Sequence, residues 1–151
     1  MRGVKVKSVQ LSCHIHSTEN TERVVSSIMR LIPARSVQKV ERKVETLHGH
    51  FGNRITAFTV KSRDSSVALE MLRSIASSLT EDSKRLLATN LHLHLDPTGN
   101  LIFRLDKQKL VLGRGELSYG SDVVKVVVSF KLPPKQKAGL KEVLKELGLI
   151  A

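Results

Sequence analysis

Residues 37–60, VQKVERKVETLHGHFGNRITAFTV, read as two β-strands joined by a wide turn. From Val37 to Leu47 charged side chains are interspersed with Val, the pattern of an exposed strand, and RITAFTV (54–60) is rich in β-branched and aromatic residues. Between them HGHFGN (48–53) supplies two glycines and an asparagine, residues that tolerate positive φ and let the chain reverse. A second reversal is written in LHLHLDPTGNLIFRL (91–105). Over 91–95 Leu and His alternate, Leu inward and His outward; DPTGN (96–100) is turn chemistry; LIFRL (101–105) returns as the antiparallel partner. Two hairpins without a repeated strand–helix–strand unit predict an α+β fold, a mostly antiparallel sheet covered by helices.

The flanking segments fit that plan. Val9, Leu11, Cys13 and Ile15 alternate with Gln10, Ser12, His14 and His16, a half-buried strand. The weaker stretch around Val6 is out of phase by one, and a bulge near Ser8 reconciles the two. In STENTERVVSSIMRLIP (17–33), polar caps precede Val24, Val25, Ile28, Leu31 and Ile32 at helical spacing, and Pro33 ends the run. Asp64 caps a second helix with Val67, Met71, Leu72, Ile75, Ala76 and Leu79 on one face, and Thr80 to Ser83 opens a short third one. Residues 106–120, punctuated by glycine, predict a short helical turn and then loop. VVKVVVSF (123–130) is almost continuously apolar, as a central strand buried on both faces would be. Pro133 and Pro134 open a last helix whose stripe is Leu140, Val143, Leu144 and Leu147, with Gly148 at its C′ position. The expected order is β-α-β-β-α-α-β-β-β-α in one domain, residues 1–151, of which the helical part 133–151 is the most separable.

Composition narrows the class. A chain of 151 residues with 40% hydrophobic and 26% charged residues has ordinary globular usage. At this length folding buries roughly two thirds of the chain's surface, enough for a core without staples. No apolar run nears the roughly 18 residues of a membrane span, and the first residues lack the apolar block of a signal peptide. The lone Cys13 excludes an intrachain disulfide framework. A soluble, cytoplasmic protein is expected. Lys and Arg number 25 against 14 Asp and Glu, a net charge of +11 that points to a polyanion partner. Arg35, Lys39, Arg42, Lys43, Arg54, Lys61 and Arg63 face only Glu41 and Glu45; a second cluster joins Arg104, Lys107, Lys109 and Arg114 against Asp106. With 4 Phe, 1 Tyr and no Trp, phosphate and sugar contacts should dominate over base stacking, which favours structured or double-stranded RNA. Phe58, Phe103 and Phe130 belong to strand patterns and should fill core, leaving Phe51 and Tyr119 in loops.

Signals for catalysis are weak. The histidines form H-x-H pairs (14 and 16, 48 and 50, 92 and 94), and on a strand such a pair faces one way and could share a metal ion. No carboxylate supports them, so a solvated face, or contact with phosphate, is the better reading. Cys13 has the parity of Leu11 and Ile15 and should be a small buried hydrophobe. Asp96 reads as a turn former and Asp106 as a salt-bridge partner, not as part of a magnesium triad with Asp122. There is no nucleophile elbow, Walker loop, Rossmann fingerprint or aromatic RRM motif. The Gly49–Gly52 spacing matches a KH loop, but it joins two strands where KH joins two helices. No cofactor and no catalysis are expected.

ETLHGHFGNRI (45–55), LDPTGNLIFRLDKQ (95–108) and VVKVVVSFK (123–131) together resemble a family of small archaeal RNA-binding proteins described as predicted exosome subunits. The likeness covers residues 6–132, with the G-H-[FY]-G-N loop and the strand-end D-K-Q its distinctive pieces; Arg54 stands where the pattern has proline. The resemblance implies a fold similar to the large-subunit ribosomal protein that contacts five-S RNA. It also implies RNA binding, with an exosome or ribosome-related complex as partner. The expectation is a non-catalytic RNA-binding protein: Arg42, Lys43 and Arg54 on phosphates, His50 and Asn53 on sugar or backbone. Arg104, Lys107, Lys109 and Arg114 would form a second anchor. The alternatives are a metal-binding protein or hydrolase built on the H-x-H pairs, or an interaction subunit with an acidic protein partner.

Overall fold

The structure, a computed structural model, describes residues 4–49, 51–131 and 139–151. Its strands are β1 (Lys5–His16), β2 (Glu41–His48), β3 (Arg54–Ser62), β4 (Leu101–Asp106) and β5 (Val123–Lys131). They form one sheet in the order β2-β3-β1-β5-β4, with every neighbouring pair antiparallel. The helices are α1 (Thr21–Met29), α2 (Ser65–Ser78), α3 (Glu81–Thr89), α4 (Leu91–His94), α5 (Lys107–Val111) and α6 (Leu140–Glu146). A 3-10 turn, Ala34–Lys39, leads into β2, so that strand starts later than the charged pattern predicts. Among the described residues no helix is long and apolar enough to cross a membrane.

β1 is central, and its alternation decides the two sides of the sheet. Leu11, Cys13 and Ile15 lie in the core opposite Val60 and Phe58 of β3 and Val126 of β5. The phase slip falls between Val6 and Ser8, where the register with β5 shifts, so the expected bulge is present. α2 packs across β1 and brings Met71, Leu72 and Ile75 into the same core; α1 contributes Val24 and Ile28. Phe58, Phe103 and Phe130 are buried with them. Burial pushes the Cys13 thiol up to about 11, partly opposed by the nearby Lys107 ammonium. The capping expectations hold: Asp64 accepts from the Ser66 and Val67 N–H groups, and Thr80 from the Ser83 N–H. After α6, Gly148 takes φ +79 while its N–H reaches Lys145 O and Leu149 N–H reaches Leu144 O, a Schellman ending. Leu140, Val143, Leu144, Leu149 and Ile150 belong to the core cluster. Pro133 and Pro134 lie outside the described residues.

Three local expectations are overturned. The stretch 91–95 is helical over Leu91–His94, which leaves five strands. Spacing of i, i+2, i+4 contains an i, i+4 pair, and Leu91 and Leu95 pack against the core as such a pair while Leu93 is 66% exposed. The turn beyond it does form: Asp96 Oδ1 accepts from Thr98 and Asn100 N–H, and Gly99 sits at φ +87. Second, β5 is buried on one face only. Val124, Val126, Val128 and Phe130 are covered, whereas Val123, Lys125, Val127 and Ser129 are only half-buried. Third, Asp106 makes no ion pair among the described residues; it caps α5 by accepting from Lys109 N–H at 2.9 Å.

Candidate nucleic-acid interface

The uncovered side of the sheet is where charge can meet a partner. Pairing register places one row of side chains straight across it: Lys43 of β2, Thr59 of β3, Ser12 of β1, Lys125 of β5 and Arg104 of β4. Four inter-strand steps make the row roughly 19 Å long. Two cations therefore flank two hydroxyls at one end, and a lysine stands at the other. Lys43 is neutralised by Glu45 at 2.8 Å, and that contact lifts its pKa. Arg104 and Lys125 have no carboxylate partner among the described residues, although they stand directly opposite each other. Like charges in register across antiparallel strands repel. Ser12, His14, His16 and Thr59 join these two cations around a shallow cavity of about 740 Å³, which Glu19, Gln108 and Asp122 also line.

A buried cation pairs with the two carboxylates that line this cavity. Lys107 is 1% exposed. Its Nζ donates to His14 O at 2.7 Å and pairs with Glu19 Oε1 and Asp122 Oδ1, each at 2.8 Å. Gln108 Nε2 bridges the other oxygens of Glu19 and Asp122 at 3.1 Å. Burial works against the Glu19 carboxylate, yet hydrogen bonds from Lys107, His16 N–H and Gln108 more than offset it and hold its pKa below the ordinary value. The Lys107 hydrogen bond likewise draws Asp122 down, and burial of Lys107 is outweighed by both carboxylates, which raise it.

The expected RNA contacts are thus distributed unevenly. Lys43 and Arg104 share the open face. Arg42 is opposite Val60 and Arg54 opposite His48, on the other face of the β2–β3 hairpin. Asn53 is exposed in the hairpin loop, where its carbonyl accepts from Gly49 N–H, and His50 lies outside the described residues. Lys109 is half-buried on α5, and Arg114 is 4.0 Å from Glu116. Lys107 does not serve as a phosphate contact, because its ammonium is enclosed and fully partnered. Lys125 was not among the expected residues. Its signal was the lone charge inside VVKVVVSF, which marks the uncovered side of a strand otherwise apolar on both.

The H-x-H pairs at 14 and 16 and at 92 and 94 do not converge on one site, and the third pair includes His50, outside the described residues. His14 and His16 share the open face, but His92 and His94 ride on a helical turn, and both nitrogens of His94 are engaged. Ile102 O offers only an acceptor at 2.9 Å, so Nδ1 carries the proton and Nε2 accepts from the Tyr119 hydroxyl at 2.9 Å. Among the described residues no three His, Cys, Asp or Glu side chains cluster as metal ligands.

A helix-backed antiparallel sheet whose free face carries, among the described residues, two cations without carboxylate partners beside hydroxyls defines a small α+β protein with a cationic sheet face. Residues 8–130 match the family model described as RNA binding, and the chain belongs to this RNA-binding family. It is 28% identical to RNA-binding protein PAB1135 of Pyrococcus abyssi over 144 residues, 95% of this chain and 94% of that one. It is 30% identical to uncharacterized protein MJ0213 of Methanocaldococcus jannaschii over 148 residues, covering 95% and 99% of the two chains. Among solved structures, protein AF2318 of Archaeoglobus fulgidus is similar with TM-score 0.75 and 29% identity, covering 95% of this chain and 99% of that one. Protein SSO0741 of Sulfolobus solfataricus is similar with TM-score 0.76 and 26% identity, over 93% and 96%. The family that the three sequence stretches resemble is the one found.

Proposed function

We propose that the chain is a non-catalytic RNA-binding protein that lays the sugar–phosphate backbone of a structured RNA across the open face of its sheet. One observation carries the reading: Arg104 and Lys125 stand side by side with no carboxylate partner among the described residues, while Glu19 and Asp122, which line the same cavity, are paired with Lys107. A phosphate between the two cations relieves their repulsion. Ser12 and Thr59 supply hydroxyls along the same row for sugar or phosphate oxygens. Arg42, Arg54 and Asn53 on the hairpin, and Lys109 and Arg114 beyond β4, extend the contact at its margins. The family resemblance supports a cytoplasmic accessory role beside the exosome or a ribosome-related complex, bringing RNA rather than cutting it.

The test is the salt dependence of affinity for a labelled RNA hairpin. Each neutralised phosphate contributes about −0.7 to −0.9 to the log–log slope. Arg104→Ala and Lys125→Ala should each flatten the slope by about one contact, and the RNA should remain uncut. An unchanged slope in the double variant would overturn the assignment of the site. A complex from cell extract that survives nuclease intact would instead point to an acidic protein partner.

A further inference from the structure

Arg104 lines two cavities. Besides the open-face cavity it borders one of about 450 Å³ at the outer edge of β4, walled by Leu93, His94, Ile102 and Tyr119. Tyr119 is 58% exposed, yet it is held in place. Its hydroxyl donates to His94 Nε2 at 2.9 Å and accepts from Asn90 Nδ2 at 3.3 Å. Its loop is tied to β4 by Ser118 N–H on Arg104 O at 2.9 Å and closed by Gly120 N–H on Ser118 Oγ at 3.1 Å. The His94 ring lies tilted at 40° with its centroid 5.6 Å away, and a surface ring anchored in this way loses little freedom when something stacks on the part that stays exposed. Leu93, 66% exposed, adds apolar surface on the same rim.

We infer that this edge cavity is a subsite for a single unpaired nucleobase, which stacks on Tyr119 while its own phosphate lies on Arg104. The subsite rests on the phosphate reading of the open face and sharpens it: the preferred RNA is a folded one that offers an unstacked base, a bulge or a loop nucleotide. Every base presents a π-face, so stacking here carries little sequence preference. Arg104 couples the two cavities, because the chain that places a phosphate on it can turn the attached base outward past β4.

The protein supplies its own probe. It contains 1 Tyr and no Trp, so intrinsic tyrosine emission reports on Tyr119 alone. A two-stranded RNA duplex with one bulged adenosine should quench that emission, and the same duplex fully paired should bind without quenching it. Tyr119→Leu should lower affinity for the bulged duplex by roughly 5- to 150-fold and leave the paired duplex unaffected. Tyr119→Phe keeps the ring and should retain the preference. Binding of the bulged duplex with unchanged emission would overturn the subsite alone. So would an equal loss in the Phe and Leu variants, which would make Tyr119 a latch for His94. If neither duplex binds at low salt, the subsite and the phosphate reading fall together.

Discussion

Lys107 shows how far a charge can travel from its apparent role. In the sequence it sits in a cationic cluster beside Lys109; in the fold it is enclosed, and its partner Glu19 is 88 residues away. Nothing local in the sequence signals that pairing, because the contact exists only once the β1–α1 connection folds against the start of α5. Removing the cation leaves two carboxylates and the His14 carbonyl without their shared donor. Lys107→Met should cost about 3 kcal/mol in urea unfolding at neutral pH, since breaking an enclosed pair strands its partners. The pH dependence follows from the shifts. Glu19 and Asp122 ionise more readily folded than unfolded, so they stabilise above their ordinary values of 4.5 and 3.8 and cease to do so as pH falls through the lower folded values. Lys107 is the mirror case: its contribution holds below 10.5 and is lost as pH rises through its raised folded value. The stability gap between wild type and Lys107→Met should therefore narrow below pH 3.8. A gap that stays constant down to the acid transition would refute the pairing.

At the scale of elements, legibility tracked local chemistry. The caps of α2 and α3, the bulge in β1, the turn at 96–100 and the glycine after α6 were readable because each depends on residues within a few positions. The stretch 91–95 was not: alternation over five residues satisfies both periods, and His94 chose the helix by finding Ile102 O and the Tyr119 hydroxyl, both supplied from elsewhere. The loop after α5 carries a similar tertiary constraint. Gly115 N–H donates to Ser78 O at 2.8 Å and Thr80 N–H donates to Gly115 O at 3.0 Å, which stitches the loop to the α2–α3 junction. A Cβ on Gly115 would lie 2.6 Å from Ser78 Oγ and 2.9 Å from Ser78 O. Gly115→Ala should cost about 1–3 kcal/mol through this crowding. Gly120→Ala, whose Cβ would meet nothing nearer than 3.4 Å, is the control and should change stability by less than about 0.5 kcal/mol. Equal effects would remove the packing argument.

For the molecule as a whole, a net charge of +11 announced an anionic partner without saying where it sits. The cations divide between two sides of a hairpin, an enclosed ion pair and one transverse row, and strand register, which no composition contains, makes the row. The helices also support the sheet unevenly. β1 lies between two neighbours under α2, whereas β2 is exposed along its entire length and paired only with β3. Local opening of that margin therefore costs far less than global unfolding. Amide hydrogen exchange should follow this gradient, with the β2 amides of residues 41–48 exchanging earliest among the strands and those of Leu11 and Cys13 last. If β2 exchanged as slowly as β1, the margin would have cover that its exposure denies. On the proposed RNA-binding reading, a margin that opens ahead of the core acts as a hinged arm: Arg42 swings on β2 to meet an irregular contour while Lys125, on the strand beside β1, stays fixed.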